Sequence, residues 1–230
     1  MTHLDSLANS LANSLADSLG RAASAGGGAV LGSAFRTVGA VRPARKPLHP
    51  RGRVVGGRLR RHGSAPETGV AFLDEPGDEP VLVRESRSVG LPGPLPDIQG
   101  LAVRVSNPDG SPGDLLLAST GWGPWNRFVL TPSSTTYGRP MTTLFPYRSP
   151  RGPLLLGARS DTPGLVELAV ALGRGPWRTF AELTVSDQDA GDPTVSFDPV
   201  LHQVAGLEQY PAVVRLREPA YRSARRSRGA

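Results

Sequence analysis

Asp97-Ile98-Gln99-Gly100-Leu101-Ala102-Val103-Arg104-Val105, Asn107-Pro108-Asp109-Gly110, and then Asp114-Leu115-Leu116-Leu117-Ala118 form the stretch that decides the fold class. Two apolar runs too short for stable helices flank four residues that each favour a turn for a separate reason, so the segment predicts an antiparallel hairpin. The same pattern of short apolar runs parted by turns continues outward. Upstream it predicts strands over 53–55 with 58–59, 69–73 and 81–86, and downstream over 154–159, 165–172, 180–186 and 212–216. The run 165–172 also has a helical reading, but Gly164 and Gly173 bracket a length that suits a strand. Eight or nine strands with regular turns predict a mainly β chain built as a closed antiparallel eight-stranded barrel, which leaves no open edge; a sandwich is the second choice. Residues 122–150 read as an irregular crossing over the outside.

Composition narrows the chemistry. The 230 residues contain no cysteine, which removes disulfides, thiolate nucleophiles and cysteine-ligated metals and suits a reducing, cytoplasmic setting. The 28 glycines and 23 prolines interrupt the chain too often for long helices. The net charge of +6 comes almost wholly from arginine, since Lys46 is the sole lysine. Such charge can attract polyanions, but no aromatic stacking platform accompanies it, so nucleic acid is not the expected partner.

Residues 1–43 read as a separate arm. Its tetrad repeat places Leu4, Leu7, Leu11, Leu15 and Leu19 along one helical stripe, an amphipathic helix. No basic residue precedes Arg21, which argues against a secretory signal, and no apolar run of about 18 residues predicts a membrane span. The barrel is expected over 44–217 and a basic tail over 218–230.

Beyond fold class, several segments carry a resemblance. Lys46-Pro47-Leu48-His49-Pro50-Arg51-Gly52 stands where haem catalases have a His-Ala-Lys-Gly-like turn, and Val83-Arg84-Glu85-Ser86 is similar to their Val-Arg-Phe-Ser strand. Residues 97–105 resemble Asp-Pro-Arg-Gly-Phe-Ala-Val-Lys-Phe, Asp114-Leu115-Leu116 the Asp-Leu-Val that follows, and Ser196-Phe197-Asp198-Pro199 a Phe-Asp-Pro-like approach to the last barrel strand. The chain thus resembles a minimal, truncated member of the haem catalase superfamily, with haem as the implied cofactor and a peroxide or small ligand as the implied partner. Catalase arms thread between subunits, so the resemblance also implies a homo-oligomer held through the arm.

The resemblance implies roles for five residues. His49 would be the base that takes a proton from one peroxide oxygen and returns it to the other, a task suited to imidazole. Ser86 would hold its ring in one tautomer. Arg84 and Lys46 would pair with the haem propionates. Arg217-Glu218-Pro219-Ala220-Tyr221 has the Arg-x-x-x-Tyr spacing of the proximal segment and makes Tyr221 the implied metal ligand and cofactor contact. The family's distal asparagine has no counterpart, because Ala118 and Ser119 follow the Asp-Leu-Leu run.

Alternation along 81–86 lets Arg84 and Ser86 share a face, expected to be the barrel interior, where Glu182 or Asp114 could pair with the arginine in the absence of a propionate. His62 and His202 read as surface or structural, and Trp122, Trp125 and Trp177 as packing anchors. No serine-hydrolase elbow, phosphate-binding glycine loop or clustered histidine pair appears, so neither hydrolase nor phosphodiester chemistry follows from these residues. A non-catalytic barrel that binds a small ligand or serves as a scaffold is the alternative reading, and an interaction protein docking through its arm and arginine-rich tail is the third.

Overall fold

The computed structural model describes residues 51–88, 94–189 and 195–226. Lys46, His49 and the arm at 1–43 lie outside the described residues.

Four long strands open the fold: β1 (Arg51–Arg61), β2 (Gly77–Arg87), β3 (Gln99–Ser106) and β4 (Pro112–Ser119), each antiparallel to its predecessor. Side chains of a strand alternate between two faces, and here one face is aliphatic throughout: Val55, Val83, Val103 and Leu115 stand side by side on successive strands. The β3–β4 hairpin closes as its turn residues predict. Gly110 takes φ +81° and donates to the Asn107 carbonyl at 2.9 Å, while Asp109 Oδ1 accepts from the Ser111 amide at 2.9 Å.

The second half supplies β5 (Met141–Thr142), β6 (Tyr147–Arg148), β7 (Leu154–Thr162), β8 (Leu165–Leu172), β9 (Arg178–Asp189) and β10 (Glu208–Gln209). Pairing runs β1-β2-β3-β4-β5-β7-β8-β9 and returns to β1, with Leu59 opposite Leu183 at the seam, so eight antiparallel strands close into a barrel. The short β6 and β10 pair beside the end of β7. The register shifts where Val55 faces Asp189 and Gly57 faces Val185, so the extra residues of this bulge lie in β9. A Cβ on Gly57 would stand 2.9 Å from the Thr184 carbonyl oxygen, so the approach of β9 requires glycine there.

Two predicted strands are helical instead. Within 69–73, Gly69 turns the chain at φ +82°, and the Asp74 carboxylate accepts from the amides of Thr68 (2.7 Å), Gly69 (2.7 Å) and Val70 (3.1 Å), closing the one-turn helix α1 (Ala71–Asp74). Residues 212–216 lie in α2 (Pro211–Arg226), so the Phe197-Asp198-Pro199 segment leads to a helix and not to a last barrel strand. Proline suits the first position of a helix, and burial of Ala212 and Val213 against the barrel outweighs the weak helix preference of the Val213-Val214 pair. The residues expected as a basic tail continue this helix as far as Arg226.

The barrel interior is filled. Leu59, Leu101, Leu154, Leu183 and Phe180 are all at 1% exposure or less and belong to one continuous aliphatic core, each contributing about 1.5–3 kcal/mol by leaving water. Small barrels reach closure in this way, with side chains in place of a cavity. No helix among the described residues is long and apolar enough to cross a membrane.

Candidate functional site

The filled core corrects the expected placement of the arginine and serine. Val81 and Val83 point inward, so strand alternation puts Leu82, Arg84 and Ser86 on the outer wall. Arg84 sits in register between Val54 on β1 and Ala102 on β3, and Ser86 between Gly52 and Gly100. The Arg84 guanidinium lies over Gly52, where a Cβ would come within 2.7 Å of its Nε, so a glycine opposite Ser86 makes room for the side chain. Ser86 Oγ is 3.5 Å from the Gly100 carbonyl oxygen. Asp114 is on the outer wall as well, but it pairs with Arg104 and so is not the expected partner of Arg84; Glu182 is exposed on β9.

Around Arg84 the outer wall is apolar. Val54 and Ala102 are both 8% exposed, and with Leu82 and Leu116 they form a patch covered by Phe197, itself 6% exposed. Phe197 belongs to a segment, 195–202, that is no strand itself but is tied to β4 by the Asp114 amide, which donates to the His202 carbonyl at 2.8 Å, and by side chains. The centre is Asp114, which takes a two-pronged bond from Arg104 (Nε to Oδ1 and Nη2 to Oδ2, both 2.7 Å) and accepts from the Asp198 amide at 2.7 Å. Arg104 Nη2 also donates to the Ser196 carbonyl at 2.6 Å, which uses both of its hydrogens. The 3.2 Å approach of His202 Nδ1 to that same nitrogen is therefore no hydrogen bond, and Nδ1–H donates to Asp114 Oδ2 at 3.0 Å. Sequence reading treated His202 as structural, and this is its structural role. The guanidinium of Arg104 also lies 5.0 Å from the Phe197 ring centroid.

Helix α2 packs beside this segment. Arg225 bonds Asp198 and reaches Glu218 Oε1 at 2.7 Å, which fixes the last turn despite Pro219 in the helix interior. Arg217 and Tyr221, one turn apart, share a face. Tyr221 is half-buried, and burial pushes its phenol up to about 12; nearby Arg217 acts in the opposite sense, while Asp198, Tyr147 and Asp114 add to the rise. The segment that sequence reading placed beyond a terminal strand is thus part of a continuous helix that carries Tyr221 one turn after Arg217.

One further group, a tyrosine–glutamate pair, escaped sequence reading. Glu85, on the inner face at the barrel mouth, accepts from the Tyr137 hydroxyl and lies 3.7 Å from Arg53; desolvation, with Glu85, raises the Tyr137 pKa. On the opposite wall, Trp122 and Trp177 stack at 4.3 Å over Gly157, and the Arg127 guanidinium lies 4.4 Å from the Trp177 ring centroid, which supports their reading as packing anchors. Trp125 differs: it is 61% exposed, and Arg174 lies over its ring. Among the described residues no cluster of three or more histidine, aspartate or glutamate side chains could hold a metal ion.

The donors present suit haem in type: a phenol one turn after an arginine, a guanidinium for a carboxylate and an apolar wall between strands. No protein-family model matches the chain, and no curated protein matches it. Among solved structures it is similar to the crystal structure of a fungal catalase, with a TM-score of 0.55 and 11% identity, over 81% of this chain. The chain spans 60% of that catalase's length. The likeness is one of fold: the chain is a catalase-like β-barrel.

Proposed function

We propose that this chain is a haem-binding protein with peroxidase or peroxide-scavenging activity. The reading rests on one observation above all. Arg217 and Tyr221 stand one turn apart on a helix packed beside the barrel, with Tyr221 near Asp114 and Asp198, close to the wall that carries Arg84.

Haem, when bound, would supply the iron at which a peroxide O–O bond is split. The chain's own contributions are positional and protonic. Tyr221 would be the iron ligand; its phenol is protonated at neutral pH, so binding a ferric centre must displace that proton, as metal ions do with acidic ligands. Arg84 and Lys46 would hold the propionates, the guanidinium by its two-pronged geometry and the ammonium as a point charge. His49 would carry the peroxide proton between oxygens, with Ser86 fixing its tautomer. Association of copies through residues 1–43 and a cytoplasmic location belong to the same proposal.

Titration of the purified protein with haem tests the reading. A Soret band that saturates at one haem per chain, weakened by Arg84→Ala and shifted by Tyr221→Phe, supports it. A protein that stays colourless overturns it.

The packing of Phe197 on Val54 and Ala102 favours a second reading, a catalase-like barrel that binds a small ligand or acts as a scaffold without turnover. In that case His49→Ala leaves ligand retention and stability unchanged.

A further inference from the structure

Helix α2 buries Ala212 and Val213 and exposes Arg215, Arg222 and Arg226, and the exposed side holds more positive charge than the fold uses. Val214, Arg215, Glu218, Pro219, Arg222 and Arg226 line a groove of about 510 Å³ along it, a volume within the range of small-ligand clefts. Three guanidinium groups stand there against one carboxylate, and that carboxylate is already taken. Glu218 Oε1 accepts from Arg222 Nη2 at 3.2 Å and from Arg225 Nη2 at 2.7 Å. Arg215 and Arg226 have no ion pair or side-chain hydrogen bond among the described residues.

Neither of these two arginines holds the helix as its neighbours do. Arg217 and Arg225 reach acceptors on other elements and fix α2 in place. Arg215, in the second turn, gains nothing from a helix dipole whose negative end is at the other terminus. Arg226 is at the favourable end, but it stands four residues from Arg222, the spacing at which like charges on a helix repel. We infer that the groove binds a soluble oligophosphate, several phosphate groups joined in a row. The three arginines are spaced roughly 10 Å and 6 Å along the helix axis, too far apart for one small anion to neutralise them all. A chain of phosphates can, each guanidinium fork engaging two oxygens. No aromatic side chain lines the groove for a base to stack on, and its apolar part is confined to Val214 and Pro219, too little to enter a lipid surface. None of these residues has a role in the haem reading, so the two proposals stand or fall separately.

Calorimetric titration of the full chain with tripolyphosphate is the test. Saturation at one ligand per chain is expected, with Arg215→Gln and Arg226→Gln each weakening binding about tenfold, as the loss of one charged hydrogen bond does. Both variants should leave thermal unfolding in place, which the loss of a structural arginine would not. Arg60→Gln, the same charge change at an exposed position on β1, should have little effect. A nucleoside triphosphate should bind as tightly as tripolyphosphate; tighter binding through the same two arginines keeps the site and makes a nucleotide its ligand. No saturable binding, an equal loss in all three variants, or orthophosphate binding as tightly as tripolyphosphate overturns the inference.

Discussion

Arg217 stands one helical turn before Tyr221, yet its guanidinium reaches back to the barrel, donating to Gln209 Oε1 at 3.1 Å and to the Thr143 carbonyl at 3.3 Å. It also lies 5.3 Å from the Phe145 ring centroid. The arginine therefore clamps α2 to the strands, and only its residual field reaches the tyrosine. That is why burial prevails and Tyr221 stays a phenol well beyond neutral pH.

This ordering of effects has a direct titration signature. Tyr137, Tyr147, Tyr210 and Tyr221 are all raised by burial, so the native protein should show no phenolate absorbance below pH 10, whereas the unfolded chain ionises near that value. The folded pKa of Tyr221 lies above the unfolded one, so its contribution is intact below about pH 10 and is lost as pH climbs through about 12. The loss amounts to at most about 3 kcal/mol. Unfolding free energies measured across that window check it, and a phenolate titrating near neutrality would contradict it.

Removing the clamp should move two observables together. Arg217→Met is expected to cost about 2 kcal/mol by abandoning the Gln209 and Thr143 acceptors, and to push Tyr221 ionisation higher by deleting the nearby cation. Urea unfolding combined with phenolate titration separates this from a purely structural loss, which would leave the titration in place.

How much of this was legible depended on the kind of signal. The hairpin at 97–118 announced itself because its turn residues and flanking alternation agree, and the run at 165–172 became a strand because two glycines cut it to length. Helix α2 was missed because Val213-Val214 and a mid-helix proline both argue against a helix. The contrary signals were local and fainter: Pro211 at the first position and the Glu218–Arg222 pair at 3.2 Å one turn apart. Arg84 and Ser86 were correctly assigned to one face, but alternation alone does not say which face is inside; that is settled by the aliphatic filling, a property of all eight strands together. The Asp114 hub was invisible because its partners are 10, 84 and 88 residues away in sequence.

Asp114 joins Arg104, His202 and the Asp198 amide on the outer wall. Asp114→Ala strands Arg104 and the Asp198 amide in a site where the carboxylate was 2% exposed, and should cost about 3–5 kcal/mol. Arg104→Leu combined with Asp114→Leu should cost less than the sum of the single changes, as read by a double-mutant cycle.

Gly157 offers a test on the far wall. A methyl group there would stand 2.7 Å from Trp122 and 2.9 Å from Trp177, so Gly157→Ala should part the stacked rings, destabilise by about 1–3 kcal/mol and change tryptophan fluorescence. An unchanged emission spectrum would show that the indoles pack elsewhere.

The central proposal is that Tyr221 ligates the iron of a bound haem. Resonance Raman spectra of the haem-loaded protein test it most directly: the account predicts iron–phenolate modes in the parent that vanish in Tyr221→Phe. Haem bound without phenolate modes, or modes that persist in the variant, would contradict it.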